Sequence, residues 1–74
     1  SSAASDVYKR QRDLLPAIRL EIAKYVSDGY ALERNYPKAL EYLNMARAAD
    51  PESPAAKKLE PWINNMQKII NKGK

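Results

Sequence analysis

The sequence predicts an all-α fold, built from an antiparallel helical hairpin and a third, proline-kinked capping helix. Apolar residues recur every three or four positions along most of the chain, which is the spacing of amphipathic helices. Pro16, Pro37 and Pro54 each stand near the start of such a stretch, where a helix tolerates the missing N–H. Ala39 and Ala46 lie two turns apart, so two helices can cross closely there. No segment alternates with period two over enough residues to predict a strand.

Length and composition exclude most catalytic functions. The chain has 74 residues, enough for one small domain with a limited core. It contains no Cys and no His, which removes thiol nucleophiles, disulfides, the usual zinc ligands and the commonest general base. It also has no Gly-rich phosphate loop. We therefore predict a protein that is not an enzyme and uses no cofactor or metal, in a compartment that the composition does not identify.

The charge and hydropathy of the chain favour no membrane or secretory segment. No apolar run approaches the roughly 20 residues of a membrane span, and the N-terminus lacks the apolar core of a signal peptide. The net charge of +4 suits contact with an anionic partner without requiring nucleic acid.

Residues 1–11 are predicted to lie outside the fold. Their sequence, SSAASDVYKRQ, resembles the translation of a transposase-based sequencing-library adapter over all eleven positions. The alternative is a native polar tail. The predicted domains are then a non-native tail (1–11), a helical hairpin (12–53) and a capping helix (54–74). The native part is expected to be the C-terminal piece of a longer protein.

The first helix is predicted over residues 14–33. Asp13 can cap its start, because a carboxylate accepts the free backbone N–H groups there. Gly29 lowers helix propensity, so it indicates either the close approach of a neighbouring backbone or a looser last turn. The apolar stripe predicted to face the core consists of Leu15, Ile18, Ile22, Tyr25, Val26, Gly29 and Tyr30.

The second helix is predicted to begin at Asn35 or Tyr36 and to end at the Asp50–Pro51 pair. Its core stripe is Ala39, Leu40, Leu43, Ala46 and Ala49.

The third helix is predicted over residues 54–71, with Ser53 as its cap. Its helical period passes through Pro61 without losing phase, so it is either one helix kinked at Pro61 or two short helices meeting at Glu60. Its stripe is Ala55, Leu59, Trp62 or Ile63, Met66, Ile69 and Ile70.

A set of residues in the hairpin resembles one tetratricopeptide repeat over residues 19–53, one period of that family. A signature aromatic residue is missing near Ala23, and Glu60–Pro61 replaces the large apolar and small pair that a second repeat needs. Residues 54–74 are therefore interpreted as a cap over the open end of a solenoid. The matching positions are Ser27, Tyr30, Tyr36, Ala39, Ala46 and Pro51.

The resemblance implies a non-catalytic module that binds a peptide or partner helix in the groove of the repeat. Lys24 would be the donor for a partner's carboxylate, whereas the acidic Asp28 argues against clamping an acidic C-terminus. The alternative is a solvated face with Glu21–Lys24 and Lys24–Asp28 pairs. The partner-binding residues predicted from the resemblance are Glu21, Lys24, Asp28 and Ala31.

The sequence leaves two further functions open. One is a purely structural cap or a domain that self-associates through its first helix, because about three repeats are normally needed for stability. The other is nucleic-acid binding through the third helix, where Trp62 accompanies several lysines. Nucleic acid is the less favoured partner because Trp62 falls on the apolar stripe and is predicted to be core. The lysines concerned are Lys57, Lys58, Lys68, Lys72 and Lys74.

Overall fold

A computed structural model, which describes residues 15–73, confirms the all-α hairpin with a kinked third helix. The first two helices pack side by side along their length, and the third segment packs mainly on the second helix. The predicted tail (1–11) and the predicted cap Asp13 lie outside the described residues. The helices are α1 (Pro16–Leu32), α2 (Tyr36–Ala49), α3 (Pro54–Lys58) and α4 (Glu60–Lys72).

The turn between α1 and α2 is set by Arg34, which adopts a left-handed backbone conformation with φ of 62°. The Arg34 N–H donates to the carbonyl of Ala31, and the Asn35 N–H donates to that of Tyr30. These two bonds form the motif that commonly ends helices, although glycine is the usual residue at the left-handed position. Because arginine occupies this position, the sequence did not indicate a left-handed residue at this turn.

α2 begins at Tyr36, one of the two predicted starts, and Asn35 caps it. The Asn35 side-chain oxygen accepts a hydrogen bond from the Lys38 backbone N–H at 3.3 Å, and Pro37 lies in the first turn. One turn on, the Lys38 ammonium pairs with the Glu41 carboxylate at 3.1 Å. The hydrogen bond to Glu41 and its negative charge raise the pKa of Lys38. The pair therefore adds to the stability of the folded chain below the ordinary lysine pKa of 10.5, and this contribution disappears at more alkaline pH, where Lys38 loses its proton.

The third segment is interrupted at Leu59, between α3 and α4. Pro61 lies in the first turn of α4 and has no N–H to continue the hydrogen-bond ladder of α3. Of the two predicted arrangements, the structure has two short helices that meet beside Glu60. Ser53 caps α3 as predicted, its Oγ accepting from the Ala56 N–H at 3.0 Å.

The helical hairpin is closed by small residues where α1 and α2 cross. Ser27 is buried, and its Oγ donates to the carbonyl of Ala39 at 2.7 Å. Ala39 and Ala46 are fully buried on the facing side of α2. A short side chain at each of these positions allows the backbones to approach closely enough for this side-chain-to-backbone bond. Near the loop, the rings of Tyr30 and Tyr42 stack with their centroids 5.6 Å apart.

The core is one cluster shared by all four helices, with α2 at its centre. Half-buried residues such as Ala23, Leu40 and Met66 pack around it. The third segment therefore completes the core of the hairpin and does not form a separate unit. The buried members of the cluster are Leu20, Leu43, Ala46, Ala56, Leu59 and Ile63.

The predicted core stripe of α1 is wrong for four of its members. Ile18, Ile22, Tyr25 and Gly29 are exposed, with 59% of Ile22 and 80% of Tyr25 open to solvent. The face that meets α2 instead carries Leu20 and Ser27, which are buried. α1 has apolar residues on two sides, and its contact with α2 uses the side with the smaller residues because that side lets the helices cross closely.

Candidate partner-binding face

The four predicted partner-binding residues lie along one side of α1, next to the third segment. Their spacing of three and four residues places them in one row. Glu21 and Asp28 are exposed, whereas Lys24 and Ala31 are half-buried. Both carboxylates are therefore open to solvent, and the one cationic group between them is partly covered.

Lys24 is covered by Trp62, a residue on a different helix. The Lys24 ammonium lies 5.3 Å from the centroid of the Trp62 ring. This is within the distance of a cation–π interaction, which at exposed sites is worth about 0.5–1 kcal/mol. The contact joins α1 to α4 across the surface of the molecule, so each of these two helices forms one side of a shared surface.

The prediction that Trp62 lies in the core is wrong. Half of its surface is exposed (50%), while Ile63 is buried in its place. Successive helical residues point about 100° apart, so only one of these two neighbours can face the core. Leu59 keeps a right-handed helical conformation, so α4 continues the buried stripe of Ala56 and Leu59, and that stripe reaches Ile63.

The α4 side of this surface is apolar beyond the tryptophan. Ile69 is exposed, seven residues and thus about two turns from Trp62, and Met66 between them is half-buried. The apolar spacing of Trp62, Met66 and Ile69 could have indicated this exposed surface, but the same spacing also fits the side of the helix that faces the core. We call the surface formed by Glu21, Lys24, Asp28, Ala31, Trp62 and Ile69 the groove face.

The predicted ion pairs along α1 are not formed among the described residues. Among residues 15–73 the ion pair that does form is Lys38–Glu41, which lies on α2. Lys24 faces an aromatic ring instead of Glu21 or Asp28. The ammonium therefore keeps its hydrogen-bonding capacity for an incoming acceptor, because a π-face does not occupy its three N–H donors in the way that a carboxylate does.

Two open depressions lie along α1, and neither is lined by a residue of the groove face. One, of about 380 Å³, is lined by Val26, Gly29, Tyr30 and Glu33. Nothing among the described residues comes within 4 Å of the position that a Cβ on Gly29 would take, so the predicted close approach is absent there. The second depression, of about 370 Å³, is lined by Arg19, Ala23, Met45, Ala48 and Ala49.

Other kinds of site find little support in the described part of the chain. Residues 15–73 contain no group of three acidic side chains placed to hold a metal ion. No helix in the same range is both long enough and apolar enough to cross a bilayer. No protein-family model, curated protein or solved structure matches the chain. The tetratricopeptide resemblance therefore stays a prediction.

Proposed function

We propose that the chain is a non-catalytic protein-interaction module that binds a peptide or partner helix across the groove face, as the C-terminal tetratricopeptide part of a larger protein. The observation that carries this proposal is the contact between Lys24 and Trp62 at 5.3 Å. It places a hydrogen-bond donor and a large apolar surface side by side at the junction of two helices.

The chemistry of the groove face suits a peptide with an acidic residue next to an apolar one. A carboxylate can approach the Lys24 ammonium while its neighbouring side chain packs on the exposed faces of Trp62 and Ile69. Aromatic residues and charge-assisted hydrogen bonds are the contacts that dominate peptide affinity. Glu21 and Asp28 flank the site and disfavour a run of acidic residues.

Lys24→Glu is expected to weaken binding of an acidic peptide by about tenfold or more, because it replaces an attractive charge pair with a repulsive one. The probe is a panel of synthetic peptides in which Asp or Glu precedes Leu or Phe, with the acid replaced by Lys as the matched set. Binding is measured through the fluorescence of Trp62, the single tryptophan of the chain. The readout therefore comes from the groove face itself.

The matched control is Lys38→Glu, which makes the same change of charge on α2, away from the groove face. It should leave the peptide affinity within about twofold, because Lys38 is an exposed residue whose side chain pairs with Glu41 and takes no part in the groove face. Equal weakening by both variants would indicate a general charge effect. Equal affinity of Lys24→Glu and the unchanged chain would remove Lys24 from the proposed site.

A second candidate is nucleic-acid binding, which the exposure of Trp62 favours. Its half-exposed ring offers a stacking surface for a base, and Lys58 and Lys72 are exposed on the same third segment. Phosphate contacts give an affinity that falls steeply with salt concentration. The affinity for a single-stranded oligonucleotide, measured at rising salt concentration, separates this candidate from the peptide module. Peptide binding depends partly on apolar contact, so it should depend less on salt.

A structural role as a cap is the remaining alternative. The buried side chains of Ala56, Leu59 and Ile63 cover the open side of α2, which supports it. If the groove face binds no peptide in the panel, while removal of residues 54–74 causes aggregation, the capping role is favoured over the binding role.

A further inference from the structure

The outward side of α1 carries a second apolar stripe that takes no part in the core. Ser27 marks the side that faces α2, and Ile22 and Gly29 lie roughly 140–160° around the helix from it. The exposed fractions are high, reaching 80% at Tyr25 and 87% at Leu32. We call this stripe the outer seam; its members are Ile18, Ile22, Tyr25, Gly29 and Leu32.

The spacing of the outer seam is that of a coiled coil. Its five members are separated by four, three, four and three residues, which is the a/d pattern of a heptad repeat. A helix that is apolar on opposite sides is one that is buried on both sides. Since α2 covers one side, and no described segment covers the other, the seam lacks the second layer that its composition indicates.

We propose that the outer seam is the interface of a homodimer in which α1 of one protomer packs antiparallel against α1 of its partner. The peptide-binding chemistry of the groove face does not enter this inference. The inference concerns the 74-residue chain by itself, because an upstream repeat stacked on α1 would occupy the same seam. It rests on three features of the described residues: the heptad spacing, the open space above Gly29, and the charges that flank the seam.

The shapes of the seam residues fit an antiparallel register with the twofold axis at the level of residue 27. In that register Tyr25 lies over the partner's Gly29, where the structure leaves open the space that a side chain would fill. Ile22 meets the partner's Leu32. Tyr25 thus faces a residue without a side chain, Ile22 faces a leucine of similar size, and each contact occurs twice because of the symmetry. Ile18 lies beyond the paired layers, opposite the end of the partner's α1.

The flanking charges select the antiparallel orientation. Arg19 and Glu33 occupy equivalent flanking positions near opposite ends of the seam. Antiparallel packing brings Arg19 of each protomer to Glu33 of the other, which gives two attractive pairs against one repulsion between the two Asp28 side chains at the axis. Parallel packing would place Asp28 beside the partner's Glu33 twice and stack the Tyr25 side chains on each other.

Sedimentation equilibrium of the full chain over a micromolar-to-millimolar range tests the proposal. The expected mass at the upper end is twice the 8.4 kDa of one chain. Ile22→Lys should raise the dimer dissociation constant by about 100-fold, because it buries a lysine in the seam. Ile69→Lys is the control, since Ile69 is also an exposed apolar residue (38%) but lies on α4, off the seam and away from Arg19. A chain that stays monomeric at millimolar concentration overturns the proposal.

A charge exchange tests the orientation. Arg19→Glu and Glu33→Arg should each weaken the dimer by about tenfold, because each turns two attractive pairs into repulsive ones. The double variant Arg19→Glu with Glu33→Arg should restore the dissociation constant of the unchanged chain. Failure of the double variant to recover contradicts the antiparallel arrangement.

Gly29→Ala separates the dimer from any general effect on folding. In the monomer the added methyl group meets open space, and alanine favours the helix, so the melting temperature at low concentration should rise by about 4–8 °C. In the dimer the same methyl group fills the space under the partner's Tyr25, so the dissociation constant should increase. A rise in both monomer stability and dimer affinity would contradict the proposed register.

Discussion

Leu43→Ala is expected to lower the free energy of unfolding by about 2–5 kcal/mol, the usual cost of deleting a fully buried leucine side chain. Leu43 is buried at the centre of α2 and belongs to the cluster that also holds Leu20 and Ile63. Its side chain therefore contacts the layer formed by α1 and the layer formed by α4. A cavity at this position weakens both interfaces at once.

The size of this effect matters because small domains have little stability to lose. A single core in a chain below about 70–80 residues rarely supplies more than about 3–5 kcal/mol. Leu43→Ala should thus leave a substantial unfolded population at room temperature. Urea unfolding followed by far-ultraviolet circular dichroism measures it, at a concentration low enough to keep every variant monomeric.

Met45→Ala is the control for the leucine substitution. Met45 lies on the same helix but is about half exposed, so its loss should change the free energy of unfolding by no more than about 0.5 kcal/mol. If the two variants unfold at the same urea concentration, Leu43 is not the packing centre that the structure places there.

The ends of the helices were predicted well because local chemistry sets them. Asn35 and Ser53 carry side-chain oxygens that cap free backbone N–H groups, and Pro51 excludes a continuing helix. None of these effects depends on what the helix packs against. The left-handed turn at Arg34 was not predicted, because arginine carries no local signal for that conformation.

The apolar spacing of α1 did not predict which side of the helix faces the core. Its larger residues, such as Ile22 and Tyr25, favour one side as core, yet Ser27 and Leu20 on the other side are buried. The choice depends on the facing helix, whose Ala39 and Ala46 leave room for a close crossing. Periodicity reports that a side is apolar, but only the shape of the partner decides which of two apolar sides it covers.

Of the groove face, the part on α1 was predicted and the part on α4 was not. The row of Glu21, Lys24 and Asp28 follows from helical spacing within α1 alone. Its contact with Trp62 depends on which of two neighbouring residues of α4 enters the core, and the structure buries Ile63. The apolar spacing of the third segment fits either residue, so it did not decide between them.

Ala39→Leu is expected to be the most disruptive single enlargement in the hairpin, at about 1–3 kcal/mol for overpacking. Ala39 is fully buried at the crossing, and its carbonyl accepts the 2.7 Å hydrogen bond from Ser27. Three added carbon atoms push α1 away, so the Ser27 hydroxyl loses its acceptor in a buried site, which costs about a further 1–3 kcal/mol. Urea unfolding measures the sum, with Ala48→Leu on the exposed side of α2 as the control.

A second substitution tests whether crowding at the crossing is the cause. Ser27→Gly removes the side chain that faces Ala39, and alone it should destabilise the hairpin because it loses the hydrogen bond and lowers helix propensity. In the Ala39→Leu background the same change makes room for the leucine, so the double variant should be more stable than the sum of the single effects. Strict additivity would mean that the two side chains do not compete for space, and the close crossing of α1 and α2 would then not depend on their small size.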